Sequence, residues 1–412
     1  TEEGLGVKAD GYLFAQADDL FIQSAGGLAL NNADAVREIN LIAQDDIVIG
    51  ADLIANLAVT AHSNSLGMAD EANLIASEVI LQAEDELNLK GDIKAFDIAL
   101  ESQNLISDAD LLAINTLNLN TTDRAQVHDS VIASEEIFMS SDEAEFTNVE
   151  LKATNLTLTA NKTSALQTNL ESTDLVANLG ESDSTGLEIV AATADIKFTN
   201  WQDKNSNWHI GSLVLTGNQL DSEEGQWLFN EGELKASELG LDNNQIFTYQ
   251  GDIEANNLQS ANSQIYAEKL ALTINEALTS TGDVWRVLPF SEDSEIEDSG
   301  QFNLVSDQAN FTNSIIQANE YNLNSEYVQF ANTGVAASTI AIDTSELNTD
   351  KETLWLANDQ INIRADSTAN IDHTIKTTDL DLNAGKTDIS GHWLIANTAD
   401  ITAATSLDID DF

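Results

Sequence analysis

The side chains of this chain best able to do chemistry are its carboxylates, its tryptophans and a few scattered histidines. Asp and Glu number 70 against 16 Lys and Arg, a formal net charge of -54. Binding to DNA, RNA or anionic lipid needs Lys and Arg to replace counterions, so such a chain is excluded from those partners. Ca²⁺ takes several hard oxygen ligands, and pairs such as Asp18/Asp19, Asp45/Asp46 and Asp108/Asp110 offer them. Neither an EF-hand loop nor a glycine-aspartate nonapeptide is present, so Ca²⁺ is expected as a bridging ion with no individual site assigned. The competing reading is a solvated acidic surface that keeps the protein dissolved in a salty medium.

All six tryptophans fall after residue 200, beginning with NWQDKNSNWHIG. Trp201, Trp208 and Trp227 could stack on sugar rings while nearby Asp and Asn accept hydroxyl hydrogen bonds. Equally, these indoles could cover the side of the fold or fill an enlarged turn. Catalysis is not expected. A glycoside hydrolase needs a carboxylate pair flanking the bond, but acids are so abundant here that a pair proves nothing. Basic groups are informative by scarcity: His62, His128, His209, His373 and His392 are far apart. Gly391-His392-Trp393 lacks the glycine that follows histidine in polygalacturonases. No Gly-x-Ser-x-Gly elbow and no His-Glu-x-x-His is found. The absence of cysteine excludes disulfides and thiolate metal sites.

The elements that must position these groups are written in a recurring phrase. In LIASEVILQ, Leu74 and Ala76 lie two apart, as on one face of a strand, and so do Val79 and Leu81. The step from Ala76 to Val79 is three. If all four share one core, the chain turns a corner at Ser77 and Glu78, so the phrase reads strand, corner, strand. It recurs from Ile93, Leu111, Val131 and Leu151, and downstream from Ile316, Val335, Trp355, Ile375 and Leu394. A period near twenty marks a solenoid, whose repeats bury their apolar faces only by stacking on neighbours. Apolar residues two apart beside Thr, Val and Ile select strands over helical repeats. Leu41 and Leu53, Ile253 and Ile265, and Leu304 and Ile316 each lie twelve apart, as two sides of one rung would.

The expected fold is therefore all-β: a parallel β-helix solenoid of rungs about 20 residues long. At about 4.8 Å per rung, a 412-residue chain would make a rod on the order of 100 Å long. Three regions are expected: regular β-helix over 1-200, irregular Trp-containing rungs with a loop excursion over 201-300, and regular β-helix over 301-412. The excursion is VWRVLPFSEDSEIEDSG, which holds the only proline, Pro289, and an acidic run. Trp355, in phrase with Val335 and Ile375, belongs to the core. Ala76 and Ala95 are expected to face inward. No apolar run approaches the roughly 20 residues of a membrane span. TEEGLGVKAD does not read as a signal peptide, so Thr1 is expected to begin a processed or excised chain, and strand character is expected up to Phe412.

AGGLALNN at Ala25, INLIAQDDIVIGAD at Ile39 and VILQAEDELNLKGDI at Val79 resemble the repeats of filamentous haemagglutinin and related large secreted exoproteins. The resemblance covers most of residues 7 to 198 and returns after 302. It implies a right-handed β-helical shaft exported to the bacterial cell surface and used in adhesion or biofilm matrix. The chain departs from that family in lacking an Asn-Pro-Asn-Gly secretion motif and in its acidity. The expected function is a non-enzymatic extracellular structural protein, self-associating into a filament, surface layer or matrix with calcium. The alternative is a β-helix protein that binds or cleaves polysaccharide; a third is an open trough for acyl chains.

Overall fold

The computed structural model describes residues 16–290 and 300–409. The chain start at Thr1, the acidic run 291–299 and the end at Phe412 lie outside the described residues, with the expectations attached to them. Among the described residues there are only strands and connecting turns, paired in parallel as about 20 turns of a β-solenoid. No helix among the described residues is long and apolar enough to cross a membrane. Two units divide the chain, Thr1–Thr199 and Asn200–Phe412.

One coil of the second unit shows how the sequence is used. In Asn207–Glu223 the buried residues are Trp208 and Ile210, then Leu213 and Leu215, then Leu220 and Ser222. Two inward side chains, two apart, make one wall, and three walls make a coil. The next coil repeats this in register: Trp208 faces Trp227, Leu213 faces Gly232 and Leu220 faces Leu239. Trp208, Trp227, Ile246 and Ile265 follow at 19-residue steps. A parallel ladder leaves no inward position unstacked, and each fully buried Leu, Ile or Val contributes about 1.5–3 kcal/mol. The phrase strand, corner, strand is thus two of three walls. The third escapes notice because it follows a longer corner and often carries small polar residues inward, such as Ser222 and Ser260.

The first unit stacks likewise, with Leu74, Ile93, Leu111, Ile132 and Leu151 in one column. The phrase expected from Val131 therefore starts at Ile132, which is fully buried while Val131 is half-buried. The last phrase shifts too: Ile375 faces Trp393, and Leu394, expected inside, is 62% exposed. A one-residue shift exchanges the two faces of a strand, and in VIA and WLI both neighbours are apolar, so alternation cannot decide. Ala95 is buried as expected; Ala76 is only half-buried. In the stretch between Trp201 and Val287 the ladder pairs in parallel with register shifts at Ala255/Asn257 and Ile274/Ala277, and Ile265, Trp285 and Ile316 continue one column across the excursion.

A feature absent from the phrase closes the third corner. Asp129, Asn148 and Gln167 in the first unit, and Asn205, Glu224, Asn243, Asn262, Asn313 and Asn332 in the second, all have φ between 47° and 58°. Asn reaches this left-handed region more readily than most residues, which explains its frequency. Each such turn is tied to the coil beyond it, as Asn205 N–H to Glu223 O and Asn243 N–H to Ala261 O, both at 2.9 Å.

Candidate functional site

Trp201, Trp208 and Trp227 do not form a sugar platform. They are 2%, 0% and 1% exposed and point into the coil. The Trp208 and Trp227 rings stack face to face at 4.5 Å and 4°, with Trp201 against Trp208 at 5.2 Å. Facing inward from successive coils, they meet each other instead of solvent, so the filling role is the one realised. Trp355 is likewise fully buried, its ring 4.3 Å from that of His373.

Beside these rings runs a polar interior. Ser206 Oγ donates to Asp203, Ser222 Oγ donates to Asn244 Oδ1 at 2.9 Å, and Ser263 N–H donates to Asp283 Oδ1 at 2.8 Å. Ser280 Oγ donates to Asp283 Oδ2 at 2.6 Å and receives the Trp285 indole N–H at 2.9 Å. Burial pushes the Asp283 carboxyl up, against the Ser280 and Ser263 donors, which pull it down. Glu268 is a further buried carboxylate: it accepts Phe290 N–H at 2.7 Å, and its carbonyl accepts Gly300 N–H at 2.5 Å. Both feet of the excursion are tied to this one residue. Burial holds His373 neutral, its pKa lowered to about 3. Closed from solvent, these groups position backbone and leave no room for a substrate.

The surface acids are dispersed by the register. Asp19 meets Arg37 at 2.7 Å, Glu143 meets Lys162 at 2.9 Å and Glu223 meets Lys204 at 2.8 Å. Asp97 accepts from Asn115 and Thr116, and Asp379 from Asn397 and Thr398, which holds both carboxyls below their usual range. In the expected calcium pairs, Asp108 contacts His128 at 3.3 Å and Asp110 accepts Val131 N–H at 2.8 Å; Asp18, Asp45 and Asp46 point outward. Among the described residues no three acids or histidines gather as metal ligands would.

On one wall of the second unit lies an open trough of about 750 Å³. Five coils contribute to it through the tetrads FNLV, YNLN, IAID, INIR and LDLN, beginning at Phe302, Tyr321, Ile340, Ile361 and Leu380. First and third residues of each tetrad point in; the second and fourth line the trough. The outward residues are thereby Asn303, Asn322, Ala341, Asn362 and Asp381 in one column and Val305, Asn324, Asp343, Arg364 and Asn383 in the next. These tetrads were legible in the sequence, had the phrase been read for its outward positions as well as for its core.

No family model, curated protein or solved structure matches the chain.

Proposed function

We propose that this protein is a non-enzymatic structural solenoid of the bacterial cell surface or extracellular matrix, serving in a layer, matrix or adhesive filament. The observation that carries the reading is the commitment of side chains to neighbouring coils. Inward residues stack in columns from coil to coil, while outward carboxylates bond amides, hydroxyls and lysines one coil away, as Asn161 to Asp142 and Lys162 to Glu143. Tension along such an array loads many strand hydrogen bonds and ladder contacts in parallel. Resemblance of the phrases to filamentous haemagglutinin-like exoproteins supports the location. Acidity supports a role for calcium: surfaces sharing in a charge of -54 repel each other unless screened or bridged.

Light scattering tests the assembly. Millimolar CaCl₂ should drive association that EDTA reverses, whereas NaCl of matched ionic strength should not. Association equal in both salts, or none with calcium, removes the bridging claim. Incubation with polysaccharides, followed for released product, tests the absence of catalysis; a cleaved product would overturn it. The trough favours polysaccharide binding, without cleavage, as a second capacity of the same protein.

A further inference from the structure

We propose that the trough over residues 303–383 binds a neutral linear polysaccharide lying across the coils. Pairing with a neighbour one coil away is a recurrent rule for outward amides elsewhere, as Asn115 with Asp97, Asn257 with Glu238 and Glu276, and Asn332 with Asn313, although exposed Asn118 and Asn120 make no side-chain bond among the described residues. A second open trough of about 380 Å³, in the first unit, follows that rule, with Gln82 bonded to Glu101 at 2.9 Å. In the trough of the second unit, Asn322 bonds Asn303 at 2.9 Å. Asn324, Asn362 and Asn383, however, make no side-chain bond among the described residues, though each stands in register with a polar neighbour: Asp343, Asp381 and Arg364 respectively. Their amides keep both donor and acceptor for a ligand.

The class of ligand follows from the set. Amides donate and accept, and Asp343 and Asp381 accept, which suits hydroxyl groups because a hydroxyl does both. Arg364 is the one cation lining the trough, and Asp366 lies 3.4 Å from it, so an acidic polymer meets mainly repulsion. Polar groups recur once per coil, about 4.8 Å apart, in place of converging on one point. A polymer with a short repeat can answer each coil in turn; a compact solute cannot. Every contact is solvent-exposed and individually weak, so affinity must accumulate along the chain.

The site is separable from assembly, since binding is read by calorimetry on dispersed protein in EDTA and assembly by scattering in calcium. Neutral β-linked glucose and mannose oligomers, from disaccharide to octasaccharide, are titrated into the full chain, with alginate oligomers as the acidic control. At least one neutral series should bind, its affinity rising about tenfold or more with length and levelling once the oligomer spans the five coils. The triple variant Asn324→Ala, Asn362→Ala, Asn383→Ala should lose about tenfold or more at an unchanged melting temperature. Asn118→Ala, outward on the first unit, should lose nothing. Asp343→Lys with Asp381→Lys should shift preference toward alginate, an independent readout should the triple variant fold poorly. No neutral binding at millimolar concentration, equal affinity in the triple variant, or wild-type preference for alginate overturns the proposal.

Discussion

The two units use one coil plan with different fillings. In the first, the interior is Leu, Ile, Val and Ala with few aromatics, as in the column Leu117, Ile137, Leu156, Leu175. In the second, rings pack on rings: Trp208 and Phe311 stack on Trp227 and Phe330, while Phe302 and Trp355 meet Tyr321 and His373 at a tilt. Rings of that size need compensating space. A Cβ on Gly232 would stand 2.2 Å from the Phe229 ring, and one on Gly225 would meet the Trp227 indole nitrogen at 2.8 Å. At these two positions a glycine therefore stands beside a ring, whereas the aliphatic column of the first unit interchanges Leu and Ile. The comparison teaches that parallel register fixes which positions face inward and leaves their chemistry open, provided neighbours complement it.

The largest expected effect separates these two fillings. Trp227→Ala removes a ring packed on Trp208 within a rigid stack, and should cost about 3–5 kcal/mol. Leu156→Ala in the first unit should cost nearer about 2 kcal/mol, the lower end for Leu→Ala. The aliphatic interior already accommodates a void of about 20 Å³ lined by Met139 and Leu158, and methionine adapts to such gaps. Urea midpoints of the two variants, followed by circular dichroism, measure the difference; equal losses would mean that the aromatic stack is no stiffer than the aliphatic columns.

The same contrast explains what was legible in the sequence. Period two within a wall and a fixed step between phrases give class, parallel pairing and most inward residues, because the register repeats one pattern and leaves little else for it to mean. Where two neighbours are both apolar, at Val131-Ile132 and Trp393-Leu394, alternation carries no information and the face was misassigned. The tryptophans were ambiguous for a different reason. Their abundance after residue 200 fits a surface platform and a coil filling alike, because an aromatic's direction depends on the parity of its wall, which NWQDKNSNWHIG, crossing a corner, conceals. The trough was missed since its residues are ordinary Asn and Asp whose significance lies in being unpaired, a property of neighbours one coil away.

A smaller effect comes from the histidine that only the second unit buries. His373, fully buried, has Trp355 against one face and Thr349 Oγ1 2.8 Å from Nδ1; Asp350, the charged group acting on it, opposes the shift only in part. With its pKa near 3 folded and 6.5 when unfolded, only the unfolded chain takes up the proton between those values. Stability is then full above pH 6.5 and falls as pH drops toward 3, by up to about 1.4 kcal/mol per pH unit. Asp283 acts in the opposite sense: its raised pKa lets the folded state keep a proton the unfolded chain has lost, so its contribution is greatest in acid and fades as pH rises. His373→Phe should therefore flatten the acid side of the stability profile between pH 6.5 and about 4, read from tryptophan fluorescence, which arises only in the second unit.

The smallest effect tests what the units share. The corner turn is the same in both, with Gln167 in the first and Glu224 in the second holding left-handed backbones at φ 49° and 58°. Neither has the short amide with which Asn tolerates this region, and a left-handed residue with a Cβ costs roughly 1–2 kcal/mol. Gly186 and Gly282 occupy the equivalent turns of other coils, with φ 66° and 72°. Replacing Glu224 by Gly should remove that strain, but glycine also gives the unfolded chain more freedom, which returns roughly 0.5–1 kcal/mol. The expected net gain is about 0.5–1 kcal/mol at each site, equal for Gln167→Gly and Glu224→Gly because the turn is set by backbone and not by the filling beside it. A gain confined to one unit, seen in paired urea titrations, would show that the interior reaches through to the corner after all.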